Sequence, residues 1–234
     1  MVQPNNKVVS TGNPEIDKKL GGGIPMGSLI LIEGASDSGK SVLAQQLTWG
    51  TSRMGYLVTV MTTENTVKSL IRQMISLNLD ITDYVLLGRL KIFPIKVMEA
   101  QEGSAKTFDS LMSAIRTQKL QDLVIVDSIT SFIAHASVEQ VVAFFEECMG
   151  YCNNGMTMAL IAHSYAFEET TTVRISAMCD THLRLKTENT GDRIMKTLEV
   201  AKVRGAQMNT GNVISFDIDP GLGMRIIPYT KARA

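Results

Sequence analysis

Residues 34 to 41, Gly34-Ala-Ser-Asp-Ser-Gly39-Lys40-Ser41, set two glycines, a lysine and a hydroxyl at the spacing G-x-x-x-x-G-K-S. Glycine lets the backbone approach a ligand closely, so that successive N–H groups can surround the β-phosphate of a nucleotide. The lysine reaches the β- and γ-phosphates, and the serine hydroxyl coordinates Mg²⁺. This chemistry needs a strand before the loop and a helix after it, because the helix N-terminus adds its partial positive charge. Both are predicted here: Ser28-Leu-Ile-Leu-Ile-Glu33 reads as a strand, and Val42, Leu43 and Leu47 begin a helix. The nucleotide-binding set is then Gly34, Ala35, Ser36, Asp37, Ser38, Gly39, Lys40, Ser41 and Val42.

A second strand, Leu123-Val-Ile-Val, ends in Asp127-Ser128. A carboxylate at the C-terminal end of a strand lies where parallel sheets present their ligands. Such an Asp alone is commonly a helix cap or turn former. Next to a phosphate-binding loop it suits the role of holding Mg²⁺ through its water shell, so Ser41 and Asp127 form the metal set.

The elements that must carry these residues alternate between strand and helix, the pattern of a parallel sheet with crossover helices. Leu29 to Ile32, Leu57 to Met61, Leu123 to Val126 and Met158 to Ala162 are short apolar runs of the kind buried on both faces. Helical stripes lie between them: Val67, Leu70, Ile71, Met74 and Ile75; Phe108, Leu111, Met112 and Ile115; Val138, Val141, Val142, Phe145 and Met149. Met74, Met112 and Met149 fall within these stripes and read either as core filling or as lining for a subunit contact. From about Thr181 onward strands follow one another without helices: Thr181 to Lys186, Met195 to Val203, Val213 to Ile218 and Met224 to Ile227. The turn signals Asn189-Thr-Gly-Asp192 and Asp219-Pro-Gly-Leu-Gly223 predict an antiparallel extension. With no linker or repeat, residues 1–234 read as one domain.

Composition narrows the function. Lys+Arg and Asp+Glu are 23 each, so the formal net charge is zero and non-specific nucleic-acid affinity has little to rest on. The 44% hydrophobic and 20% charged content is that of a folded globular chain. No apolar run is long enough to span a bilayer, and Met1-Val-Gln-Pro-Asn-Asn lacks the pattern of a secretory signal, so a cytosolic location is expected. Cys148, Cys152 and Cys179 cannot all pair, and they read as buried thiols. With the scattered His135, His163 and His182 they offer no metal-ligand spacing.

The lead-in Ser10-Thr-Gly-Asn-Pro-Glu-Ile-Asp17-Lys-Lys-Leu20-Gly-Gly-Gly23-Ile-Pro25 and the late strand Thr197-Leu-Glu-Val-Ala-Lys202-Val-Arg204-Gly205 resemble the KaiC-like branch of the RecA superfamily. Thr63-Glu64-Asn65-Thr66 and Asp127-Ser-Ile-Thr-Ser-Phe132 are similar, within that branch, to the accessory ATP-binding proteins of the archaellum, the archaeal flagellum. The resemblance spans roughly residues 8 to 228. It implies an α/β RecA-like P-loop core with ATP and Mg²⁺ as cofactors. It further implies a homo-oligomeric ring, a hexamer by analogy, at the cytoplasmic base of the archaellum. There the ring would contact the motor and assembly ATPase and a membrane-anchored scaffold, without nucleic acid and without inserting into the membrane. The K-x-R-G of Lys202 and Arg204 would then reach the neighbouring subunit's γ-phosphate, and Glu64 would polarise the attacking water.

Clock-type relatives carry two adjacent Glu where this chain has Glu64 alone, so weak hydrolysis at most is expected. Glu64 is either the base or a residue that pairs and caps near Asn65 and Thr66. His163, after the fourth apolar run, is either a γ-phosphate sensor or a hydrogen-bonded structural histidine. Two further functions stay open. The polar loop Glu168-Glu-Thr-Thr-Thr172 holds acceptor hydroxyls for a signalling ATPase with autokinase activity. A DNA recombinase would need basic mobile loops, and Ser164-Tyr-Ala-Phe-Glu-Glu-Thr170 offers aromatics with acidic charge.

Overall fold

The structure, a computed structural model, describes residues 7–95, 104–134, 136–190, 193–211 and 213–227. His135, the N-terminal residues 1–6 and the 191–192 part of the first turn signal, Asn189 to Asp192, fall outside these. The chain opens with β1 (Val8–Val9), α1 (Pro14–Lys19) and β2 (Ile24–Pro25), where β1 and β2 pair antiparallel. Asn13 caps α1 by accepting from the Glu15 and Ile16 amides, and Pro14 stands in the first turn, where its missing N–H is not needed.

The central sheet begins at β3 (Leu29–Gly34), followed by α2 (Lys40–Arg53), β4 (Val58–Thr62), α3 (Val67–Ser76), α4 (Thr82–Leu86), β5 (Leu90–Pro94), α5 (Ser104–Arg116) and β6 (Leu123–Asp127). Next come α6 (Thr130–Ile133), α7 (Val138–Asn153), β7 (Thr157–His163), α8 (Glu169–Met178), β8 (Thr181–Thr190), β9 (Arg193–Val203), β10 (Val213–Asp219) and β11 (Gly223–Ile226). The order across the sheet is β11-β10-β9-β8-β3-β7-β6-β4-β5. Strands β8, β3, β7, β6, β4 and β5 run parallel, while β9, β10 and β11 add on antiparallel. The predicted α/β architecture with an antiparallel C-terminal extension is therefore the one observed.

Each central strand sends alternate residues to two helical layers. Ile30 and Ile32 of β3 and Ile125 of β6 join Leu43, Leu47, Leu70 and Met74 on one face. Leu29 and Leu31 of β3 and Val124 and Val126 of β6 join Leu111, Met112, Phe145 and Ile175 on the other. Burial on both faces explains why these strands are continuous apolar runs. Met74 and Met112 are buried in these layers, as the helical stripes predict. The three cysteines are buried free thiols, and burial pushes Cys152 and Cys179 up to about 12.

One expectation is corrected. Residues 168–172, read as a polar loop, are the N-cap and first turn of α8, with Thr171 buried and the Thr172 hydroxyl donating to the Glu168 carbonyl at 3.2 Å. Its run of threonines resists helix only weakly, and Ile175 buries into the core below it.

Candidate nucleotide site

The loop from Gly34 to Ser41 leaves β3 at the C-terminal edge of the sheet and enters α2 at Lys40. Two glycines are required by contact. A Cβ on Gly34 would lie 2.4 Å from the Leu185 carbonyl oxygen, and one on Gly39, at φ +99°, would lie 3.1 Å from the Phe216 ring. Asp37 adopts φ +57° within the same loop. The loop is held in a cradle before any ligand arrives. Lys40 is buried, and its Nζ donates to the Ala35 carbonyl at 2.6 Å. Burial pulls its pKa down, while Asp127, Glu64 and Asp37 work in the opposite sense. Ser38 Oγ is buried in the loop with no hydrogen-bond partner.

Around this cradle opens a cavity of about 620 Å³ lined by Asp37, Lys40, Ser41, Glu64, Asp127 and His163, among others. The size is that of a small-molecule site. Asp127 ends β6, and its peptide bond to Ser128 is cis. Its recessed position raises its pKa to about 6, Glu64 pushes the same way, and the Ser41 hydroxyl and Lys40 oppose. Thr63 Oγ1 accepts from the Ser128 amide at 3.2 Å and so ties the ends of β4 and β6 together. Glu64 follows immediately, on a turn fixed by Thr62, whose Oγ1 accepts from the amides of Glu64 and Asn65, and by the Thr66 cap of α3. Its side chain remains 59% exposed, with Oε1 3.9 Å from His163 Nε2.

His163 ends β7, its amide donating to Thr130 Oγ1, and its Nδ1 lies 3.5 Å from Lys40 Nζ. Burial and then the Lys40 ammonium hold its pKa below the ordinary imidazole value, which favours the neutral ring, and an unprotonated Nδ1 can accept from the lysine. Tyr165 stacks on it with ring centroids 5.1 Å apart. The donor set fits a magnesium nucleotide: a preformed loop of amides, a buried ammonium, an unpartnered hydroxyl, and one serine and one carboxylate for a metal that keeps several waters. Bound Mg²⁺ would supply charge neutralisation across the phosphates.

Lys202 and Arg204 lie elsewhere. Strand β9 pairs Lys196 with Thr187 of β8 near the loop, but His182 with Lys202 at the far end of the sheet. Six residue steps along the strand separate the two lysines, roughly 20 Å. Lys202 Nζ donates to the carbonyls of Ser176, Ala177 and Cys179, at the end of α8, while Arg204 reaches the Ala177 carbonyl and lies 3.5 Å from Asp180. Neither can touch a nucleotide held by its own chain.

Two features carried no motif to reveal them. Lys196 lines the cavity, and its ammonium donates to the Asp37 carbonyl. Glu33, the strand residue before the loop, is buried and accepts from His182 Nε2 at 2.9 Å and Arg184 Nε at 2.8 Å. Burial alone would raise its pKa, but these partners together bring it below the usual value. The second nitrogen of His182 meets Ser176 Oγ at 2.7 Å, so the strand that launches the loop is pinned to α8.

A phosphate cradle between strand and helix, with a carboxylate on a neighbouring strand of a mostly parallel sheet, defines a P-loop protein of RecA-like fold. The sequence profile of the KaiC ATPase family matches residues 9–231. The archaeal flagellar ATP-binding protein FlaH of Sulfolobus acidocaldarius is 32% identical, over 97% of this chain and 100% of its own length. The crystal structure of the flagellar accessory protein FlaH from Methanocaldococcus jannaschii superimposes with a TM-score of 0.83 at 28% identity, covering 95% of this chain and 100% of that one. A KaiC-like protein from Pyrococcus horikoshii, 18% identical with a TM-score of 0.75 over 95% of this chain and 100% of its own, shares the fold. The chain belongs to the KaiC ATPase family and, within it, to the group of the FlaH archaeal flagellar ATP-binding proteins.

Proposed function

We propose that this protein is an ATP-binding regulatory or assembly component of the archaellum motor, in which nucleotide orders a ring that docks the motor ATPase at the cytoplasmic base. The observation that carries the reading is the preformed cradle, with buried Lys40 held on Ala35 and Ser41 and Asp127 beside it. In the proposed mechanism the loop amides and Lys40 bind the phosphate chain, Ser41 and Asp127 hold Mg²⁺, and His163 senses the terminal phosphate through Lys40. Hydrolysis is slow. Glu64 is a single, largely exposed carboxylate, and Lys202 and Arg204 complete only a neighbour's site. Loss of a cation supplied in trans lowers phosphoryl transfer by on the order of 10³ to 10⁵ in comparable sites.

A protein that binds ATP well and turns it over poorly suits a population switch, since nucleotide then favours one assembly and that assembly presents a surface to a partner. Among the described residues no helix is long and apolar enough to cross a membrane, and the balanced charge favours a protein partner over DNA. The test is a binding titration with the motor ATPase of the same organism. Affinity should rise at least several-fold with Mg-ATP, and Lys40→Ala should lose that dependence. Cells carrying Lys40→Ala should grow normally without archaella. A full complement of archaella after deletion of the gene would overturn the reading, and labelled γ-phosphate transferred to Thr170 would favour the signalling ATPase.

A further inference from the structure

Among the described residues one lysine besides Lys40 faces the nucleotide cavity: Lys196, within β9 and opposite Phe216 of β10. The same pair of strands flanks the loop closely, since Phe216 and Ile218 stand against Gly39. The other lysines of β9 and of its partner β8 are engaged differently. Lys186 pairs with Glu199 at 2.8 Å, and Lys202 sits on the end of α8. Among the described residues no carboxylate pairs with Lys196, whose ammonium rests on the neutral carbonyl of Asp37. A cation with no carboxylate partner among the described residues, turned into a cavity, is placed for an anionic ligand.

The charges around the cavity lead the same way. Asp37, Glu64 and Asp127 line it against Lys40 and Lys196. Without Lys196, three carboxylates would face a polyanionic phosphate chain with one side-chain ammonium in cis.

We propose that Lys196 is a second phosphate-directed cation supplied in cis, a binding residue that rests on the Asp37 carbonyl and turns to the phosphate chain of the nucleotide. This rests on the nucleotide-binding reading and deepens it. Strand β9 thereby serves two sites, Lys196 acting on its own chain's nucleotide at one end and Lys202 with Arg204 on a neighbour's at the other.

The test is calorimetric titration of the full chain with Mg-ATP and Mg-ADP at several salt concentrations, using wild type, Lys196→Met, Lys196→Arg and Lys40→Ala. Lys196→Met keeps an unbranched stem and removes the charge. It should weaken Mg-ATP binding about tenfold, the worth of one charge-assisted hydrogen bond, and should flatten the salt dependence of the affinity. Lys196→Arg should keep most of both, and the melting temperature of Lys196→Met without nucleotide should match wild type. Wild-type affinity in Lys196→Met alongside failure of Lys40→Ala would overturn this proposal and leave the nucleotide site standing. Weakened binding with an unchanged salt dependence would overturn it too, by showing a structural role. Wild-type affinity in Lys40→Ala would instead overturn the nucleotide site itself.

Discussion

Lys40 is buried and Asp127 half-buried, each at a cost to the fold, and under the nucleotide-site reading their substitutions should separate stability from binding. Wild type at a Mg-ATP concentration one hundred times Kd should gain about 2.7 kcal/mol of stability, read as a rise in melting temperature. Lys40→Ala should show no rise, and equal shifts in both proteins would remove the loop assignment. Asp127 titrates at about 6 when folded, against 3.8 for the ordinary carboxyl. Below about pH 4 it is neutral in both states. Between the two values the folded chain holds a proton that the unfolded chain has lost, so stability falls as pH rises through that window. Above it the folded state carries the whole penalty, at most about 3 kcal/mol. Asp127→Asn should therefore melt higher than wild type at pH 7 and level with it near pH 4, while losing the Mg²⁺ dependence of ATP binding. A lower melting temperature at pH 7 would contradict the burial argument. Wild-type Mg²⁺ affinity should itself weaken as pH drops below about 6.

At the scale of elements, α8 links the predicted interface cations to the strand before the loop. Lys202 and Arg204 sit on its C-terminal carbonyls, where cations favour the helix dipole, and Lys202→Ala should destabilise the chain by about 0.5–1 kcal/mol. If the two cations leave for a neighbour's nucleotide, amides at the end of α8 should exchange hydrogen faster in the ATP-assembled state than in the monomer. Unchanged or slower exchange there would separate these residues from assembly. This helix was also the least legible in the sequence. Its Thr-Thr-Thr-Val run has the composition of a loop, and only contact with the core through Thr171 and Ile175 makes it helical. Strand β5 is hard to read in the sequence for a related reason. As an edge strand it buries only Leu90 among Leu-Lys-Ile-Phe-Pro, so it lacks the continuous apolar run that exposed β3, β4, β6 and β7 to inspection. Within the site, the loop and Asp127 were readable because contiguous residues carry them. Lys196 and the Glu33–His182–Arg184 cluster were not, since only β8 and β9 pairing beside β3 brings them there.

For the whole molecule, the two apolar layers on either side of the sheet should fail together. Phe145, fully buried beside Phe144 and Phe167, makes Phe145→Ala a loss of about 3–5 kcal/mol, visible as a lowered denaturant midpoint with one unfolding transition. Assembly tests the other global feature. With ATP, light scattering should show a closed oligomer for wild type, while Arg204→Ala should stay smaller yet bind nucleotide. In the proposed assembly, the separation of Lys196 from Lys202 along one strand would give each subunit a socket at one end and a plug at the other. Such a surface joins head to tail, so it has polarity and ends unless the rotation closes it. Damage to socket and plug is then of two complementary kinds. A Lys40→Ala chain keeps its plug, and an Arg204→Ala chain keeps its socket. Neither should assemble alone, but an equimolar mixture with ATP should form complexes containing both, detectable with two different labels. In each junction formed, the plug would come from the first variant and the socket from the second.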